Sequence, residues 1–294
     1  MHGLLPASLA REQGSAQARL SWNPLRRWNV SHHARSFRAA EAFVVSVPKS
    51  GRTWVRVFLL AYFAEREKMD PGYVAPRCVF THDRWEHETK GRAFDWLRGK
   101  WLIPRAEAAA KPMLLVARDP RDVIVSLFFH LQKRAHSYDG DLPGLLRHPT
   151  FGVRQMVNIM NGWLAEWDQA GHLHLLRYED AKADPHGVFA EALRFLQPDV
   201  APHLPALERA VEISSFENMR RLETGDAQAP GSTVVATLQE EALRPADRGD
   251  VDSYKVRRGK VGGYVDYLSS EDVAFLDAEL ARLDGRFGYG TVRA

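Results

Sequence analysis

A chain of 294 residues with 45% hydrophobic and 26% charged residues has the make-up of a folded globular protein and excludes global disorder. Its 40 lysines and arginines against 37 acids leave a net charge of +3, a mild bias that suits an anionic small ligand and lacks the concentrated basic stripe of a strong nucleic-acid binder. The single cysteine, Cys78, excludes an intrachain disulfide and a multi-cysteine metal site, as expected in a reducing compartment, and no apolar run reaches the length that spans a bilayer.

The length fits one large α/β domain over residues 40–294, preceded by an N-terminal arm over 1–39. The arm holds Arg11, Arg19, Arg26, Arg27, Arg35 and Arg38 but one acid, Glu12, and its pattern predicts a loosely packed segment. From Phe43 an apolar, β-branched run leads into Pro48, Lys49, Ser50 and Gly51, and an apolar-rich run of helical length follows to Ala64. Strand, tight turn and helix in that order place unpaired amide groups and a partial positive charge at the turn, which suits a phosphate. Gly51 permits close backbone approach, Lys49 adds a charge, and Ser50 and Thr53 add hydroxyl donors. The turn is not the longer GxxxxGK[ST] loop, because Lys49 precedes the glycine and no glycine opens it.

After a Pro/Gly-punctuated loop over 69–76, residues 78–83 read as a short strand with a polar tip at His82 and Asp83. Glu86, His87 and Glu88 read as solvated loop residues without a strong metal-ligand pattern. The insertion over 84–111, with Trp85, Trp96 and Trp101, is either a lid or a packed excursion. A buried strand over 112–118 ends in Arg118, then Asp119 as N-cap and Pro120 at the first helical position start a helix through Val125, Ser126 and Phe129. Arg118 and Ser126 can converge on one anion at the sheet's C-terminal edge.

Residues 151–171 read as a helix with Met156, Ile159, Met160, Trp163 and Trp167 as core. A strand over 172–177 follows, and Asp184-Pro185 starts a helix through Leu196. Residues 204–221 are helical with a break near Ser214. The stretch 224–256 reads as a mobile, lid-like insertion with a weak helical patch over 238–243, and 256–264 is a basic, glycine-rich loop. Ser269 with Asp272 opens the last helix, through Leu283.

Four of these stretches, PKSGRTW, RDPRDVIVS, SSFENM and RRGKVGG, resemble in sequence order the motifs of the sulfotransferases that use 3′-phosphoadenosine 5′-phosphosulfate (PAPS). The resemblance implies a three-layer P-loop-like α/β fold, with a central parallel sheet flanked by helices, and transfer of a sulfuryl group from PAPS to a hydroxyl. It implies that His82 is the general base, an imidazole near its ordinary pKa of about 6.5, and that Lys49 stabilises the leaving phosphate. Ser50, Gly51, Thr53 and Trp54 would cradle the 5′-phosphate; Arg118, Ser126, Arg257 and Gly259 would hold the 3′-phosphate, with Arg258 in place of the usual lysine. Trp54 and Phe216 would flank the adenine and Tyr178 touch it, with Ser214 in the same segment. Arg52 departs from the usual threonine, and its partner is left open between sulfonate, acceptor and solvent. No metal is expected. The expected acceptor is a small molecule, glycan or glycolipid, Trp22 and Trp28 are candidates to dock the arm on the body or beside the acceptor, and the expected location is cytoplasmic. A P-loop kinase using ATP, or a non-catalytic anion- or glycan-binding relative, are the alternatives.

Overall fold

The computed structural model describes residues 34–90, 97, 99–104, 110–167, 171–226, 228–231 and 245–290. Trp22, Trp28, Trp96 and the helical patch expected over 238–243 lie outside the described residues. Four short strands form one parallel sheet: β1 (Ala42–Val45), β2 (Cys78–Thr81), β3 (Met113–Ala117) and β4 (Leu173–Arg177), in the order β2-β1-β3-β4. Val44 lies opposite both Phe80 and Leu114, which fixes the register through the strand that leads into the Lys49–Gly51 turn.

Side chains alternate across the sheet, so β1 feeds two cores. Ala42, Val44, Leu114 and Val116 pack with α1 (Arg52–Met69), α7 (Pro185–Leu196) and α8 (Leu204–Ile213). Phe43, Val45, Met113 and Leu115 pack with α3 (Pro120–Lys133), α5 (Val153–Trp167) and α10 (Ser270–Leu280). This is the expected three-layer α/β fold. Both faces of the sheet are buried, which is why the strands read as apolar runs rather than alternating ones.

The caps follow the sequence. Asp119, Asp184 and Ser269 each accept a backbone N–H at a helix start, from Arg121, Gly187 and Asp272. Two expectations change. The first helix runs past Ala64 to Met69, and Arg66 pairs with Asp70 at 3.1 Å across its last turn. Residues 84–90 form a helix, α2 (Arg84–Lys90), rather than a solvated loop, because Trp85 enters the core and the buried His87 bonds the Lys100 carbonyl at 3.0 Å through Nδ1. Buried Asp83 ties this excursion down by accepting from the Ile103 amide at 2.7 Å and Trp163 Nε1 at 2.8 Å.

Candidate active site

All four strands release the chain on the same edge of the sheet, and the residues that follow them line one cleft. Pro48, Lys49, Gly51, Arg52, Thr53 and Trp54 come from the turn after β1, His82 from β2, Arg118 from β3 and Tyr178 from β4. The turn is made by left-handed backbone at Lys49 (φ 72°) and Gly51 (φ 98°). Gly51 is also the N-cap of α1, and no side chain caps that helix start, so its first amides are available to an anion. A Cβ at Gly51 would sit 2.7 Å from Tyr178 Cδ2, so only glycine fits. Ser50, by contrast, is fully buried and does not line the cleft, and its hydroxyl has no hydrogen-bond partner among the described residues.

The electrostatics of the turn are cationic. Burial lowers the Lys49 pKa to about 7, reinforced by Lys255 and Arg134, with Glu223 opposing and Arg118 adding to the drop. Arg52 is brought down to about 10 by burial, against the attraction of Glu86.

At one end of the cleft His82 Nδ1 donates to the Ser46 carbonyl at 2.7 Å, which leaves Nε2 as the ring's acceptor. Its pKa lies well below 6.5, a correction to the expected unperturbed imidazole, because burial and then the Arg52 charge disfavour the cation. The ring is therefore neutral throughout the physiological range.

The other end is aromatic. Trp54 meets Tyr178 edge-on at 5.4 Å, and Arg118 stacks its guanidinium 4.4 Å from the same tyrosine ring. Arg118 also donates to the Lys260 carbonyl at 2.9 Å and lies 3.5 Å from Asp122. Phe216, Ser126, Arg257, Arg258 and Gly259 complete this end. Gly259 has φ 60°, and a Cβ there would come within 2.7 Å of Phe216 Cδ2. Arg257 donates to Tyr267 Oη at 2.7 Å and Asp252 at 3.2 Å, while the exposed Arg258 pairs with Asp266 at 3.5 Å. Ser214 is not brought in: it is the C-cap of α8, buried, with its hydroxyl on the Val211 carbonyl.

Sequence reasoning assigned no role to several lining residues: Lys255, Asp122, Lys182, Met219 and Tyr267. It also missed Glu223, at the end of α9 (Phe216–Glu223), whose buried carboxylate accepts from the amides of Lys255 and Val256 and pairs with Arg134 at 3.5 Å. Burial pushes that carboxyl's pKa up, against the pull of these donors. Part of the stretch expected to be mobile is thus pinned beside the cleft. Asp122 does the same further on, accepting from Gly262 N at 2.8 Å and Tyr264 N at 2.9 Å. A signal for Asp122 was present, since it lies inside the RDPRDVIVS stretch; Glu223 had none. Among the described residues no cluster of three or more His, Cys, Asp or Glu is placed to hold a metal ion.

A cleft at the C-terminal edge of a parallel sheet, floored by a left-handed basic turn and a helix N-terminus, defines an α/β protein of P-loop-like fold with a cleft whose chemistry suits an anion. The family model for the sulfotransferase domain matches residues 101–283, and the chain belongs to that family. Cytosolic sulfotransferase 16 of Arabidopsis thaliana is 24% identical over 269 residues, covering 82% of this chain and 75% of that protein. The amine sulfotransferase of Oryctolagus cuniculus is 24% identical over 80% of this chain and 77% of its own. Among solved structures, mouse sulfotransferase SULT7A1 complexed with PAP superposes with a TM-score of 0.56 at 17% identity, covering 89% of this chain and 90% of that one. Retinol dehydratase in complex with androsterone and inactive cofactor PAP gives 0.52 at 17% identity over 86% and 84%.

Proposed function

We propose that this protein is a PAPS-dependent sulfotransferase that O-sulfates a small-molecule, glycan or glycolipid acceptor, in a cytoplasmic setting like that named for its Arabidopsis relatives. The observation that carries the reading is that His82, with Nδ1 committed to Ser46, lines the same cleft as Lys49 and the Arg118 end. A base, a cation for a leaving oxygen, and a distinct cationic and aromatic end are what this reaction needs in one space.

The donor is a bisphosphorylated adenosine, and the residues fit it. Lys49, Thr53 and the open amides of α1 take the 5′-phosphate; Arg118, Ser126, Arg257 and the Gly259 backbone take the 3′-phosphate; Trp54, Tyr178 and Phe216 take the base, for which aromatic faces supply dispersion without specific hydrogen bonds. Ser50 contributes through its backbone, since its hydroxyl is buried outside the cleft.

His82 Nε2 takes the proton of the acceptor hydroxyl as its oxygen bonds to sulfur. The sulfur–oxygen bond to the 5′-phosphate breaks with its electron pair on the phosphate oxygen, where Lys49 balances the growing charge. The group in flight is already anionic, so positioning and charge stabilisation do most of the work, as in phosphoryl transfer. Burial keeps His82 neutral and hence always competent to accept, at the cost of basicity.

The test is calorimetric titration with 3′-phosphoadenosine 5′-phosphate (PAP), ADP and ATP with Mg²⁺, alongside transfer from labelled PAPS. PAP is expected to bind preferentially without metal. His82→Ala should lower transfer by about 10²- to 10⁴-fold while PAP affinity stays within about threefold, as expected of a residue outside the nucleotide subsites. Preference for ATP with Mg²⁺, or unchanged transfer by the variant, overturns the reading.

A further inference from the structure

Arg52, the first residue of α1, is half-buried and lines the cleft, yet its side chain has no part in holding the nucleotide. It makes no hydrogen bond or ion pair among the described residues, and its Nη1 is buried. Glu86 attracts it from α2, but that carboxylate already lies 3.7 Å from Lys90 Nζ, and Arg56 repels it from the next turn of α1. Other cations of the cleft are answered: Arg118 lies beside Asp122, Arg257 beside Asp252, and Arg258 beside Asp266. Lys182 has no ion pair among the described residues either, but it is exposed, 5.8 Å over the Phe216 ring, where water serves its charge.

The place of Arg52 sets it against the base. After burial, its charge is the strongest influence holding His82 neutral, ahead of Lys90 and Lys255, with the Ser46 carbonyl opposing. A reaction that leaves a proton on His82 creates a second cation near Arg52, and partly desolvated like charges repel. Arg52 therefore opposes general-base catalysis unless an anion meets it while the proton moves. The reaction brings one such anion to this place. The sulfonate has to lie between the acceptor oxygen, at His82, and the bridging oxygen, at Lys49, and both of those residues line the cleft with Arg52. A partly desolvated guanidinium with an unanswered N–H is a standing demand for such a group.

We propose that Arg52 is a further catalytic residue, whose guanidinium holds the non-bridging oxygens of the sulfonate in transit while Lys49 holds the bridging oxygen. This assignment rests on the sulfotransferase reading and adds to it the residue that receives the transferred group. As the acceptor oxygen bonds to sulfur, its proton goes to His82 Nε2, and the sulfur–oxygen bond to the 5′-phosphate breaks with its electron pair on the phosphate oxygen. The three non-bridging oxygens stay on sulfur throughout, so Arg52 keeps its hydrogen bonds from donor to product. Its planar fork reaches two of them at once and holds the group in line. The sulfonate's charge in turn offsets that of Arg52, so His82 takes up its proton at lower cost beside a bound donor than in the free protein.

The experiment titrates the full chain with PAPS and with PAP, which differ by the sulfonate, and follows label leaving PAPS for 4-nitrophenol or water. Arg52→Met should weaken PAPS binding about tenfold while PAP moves by less than about threefold, because one charged hydrogen-bonding partner is lost to the sulfonate alone. Any transfer seen in the parent should slow by about 10²-fold. Arg52→Thr should give the same change in the PAPS-to-PAP affinity ratio, and it is read in place of Arg52→Met where that variant does not fold. The ratio decides, since a merely structural loss would weaken both nucleotides alike. A ratio that moves by less than about threefold overturns the assignment: equal losses place Arg52 on the 5′-phosphate, and slower transfer without any loss places it on the acceptor. In either case PAP binding by the parent upholds the sulfotransferase reading. Failure of the parent to bind PAP overturns both.

Discussion

Two basic, glycine-bearing loops form the cleft, and they are held in opposite ways. Residues 48–54 are set by their neighbours in the chain: β1 delivers them, Lys49 and Gly51 turn them, and α1 begins at once. Residues 255–260 depend on distant side chains. Glu223 takes the amides of Lys255 and Val256, Arg220 bonds the carbonyls of Val256 and Arg257, and Arg118 bonds that of Lys260. The first loop is a local motif and the second a tertiary product, so the second can be undone from outside itself.

The sharpest way to break this comparison is at Gly51. Gly51→Ala meets both a left-handed backbone and the Tyr178 ring, so the turn must reshape. PAP affinity is expected to fall about 100-fold or more, with about 1–3 kcal/mol of lost stability seen as a lower melting temperature. Affinity within threefold of the parent would show that the turn is not the phosphate cradle.

A smaller effect is expected from Glu223→Gln, which touches no ligand. An amide offers one acceptor oxygen where the carboxylate offers two, and its NH₂ faces a backbone donor. The loss of one buried hydrogen bond, about 1–2 kcal/mol, should weaken PAP binding by about 5- to 30-fold if it is expressed in the loop's position. An unchanged PAP titration would mean that the loop is held without Glu223, and the contrast between the loops would disappear.

The mildest test reads the charge of the local loop. Lys49, at about 7 in the free protein, is mostly neutral at pH 8 and mostly charged at pH 6. A phosphate favours its charged form, so PAP binding should take up protons at pH 8, take up fewer at pH 6, and weaken as pH rises through 7. Calorimetry in buffers of different ionisation enthalpy measures this uptake. None at pH 8 would remove Lys49 from the phosphate site.

The same contrast explains what could be read from the sequence. Apolar runs gave the sheet, and Asp119, Asp184 and Ser269 marked helix starts, because caps and strands are properties of neighbouring residues. The helix over 84–90 was hidden, since RWEHETK is polar by composition and its buried face needs Lys100 and the core to become visible. His82 was reached through the family resemblance, but its tautomer is set by Ser46 and its lowered pKa by burial and by Arg52, both from another loop. Ser214 looked like a site residue because it adjoins Phe216; the helix end turned its hydroxyl back on Val211. Lys255 carries no local mark, and only the fold brings it to the cleft.

On the sulfotransferase reading, the backbone at Lys49 sets stability against activity. A lysine at φ 72° bears a conformational cost that glycine would not, on the order of 1 kcal/mol. Selection for thermal robustness alone would therefore favour glycine at the position where that reading needs an ammonium group.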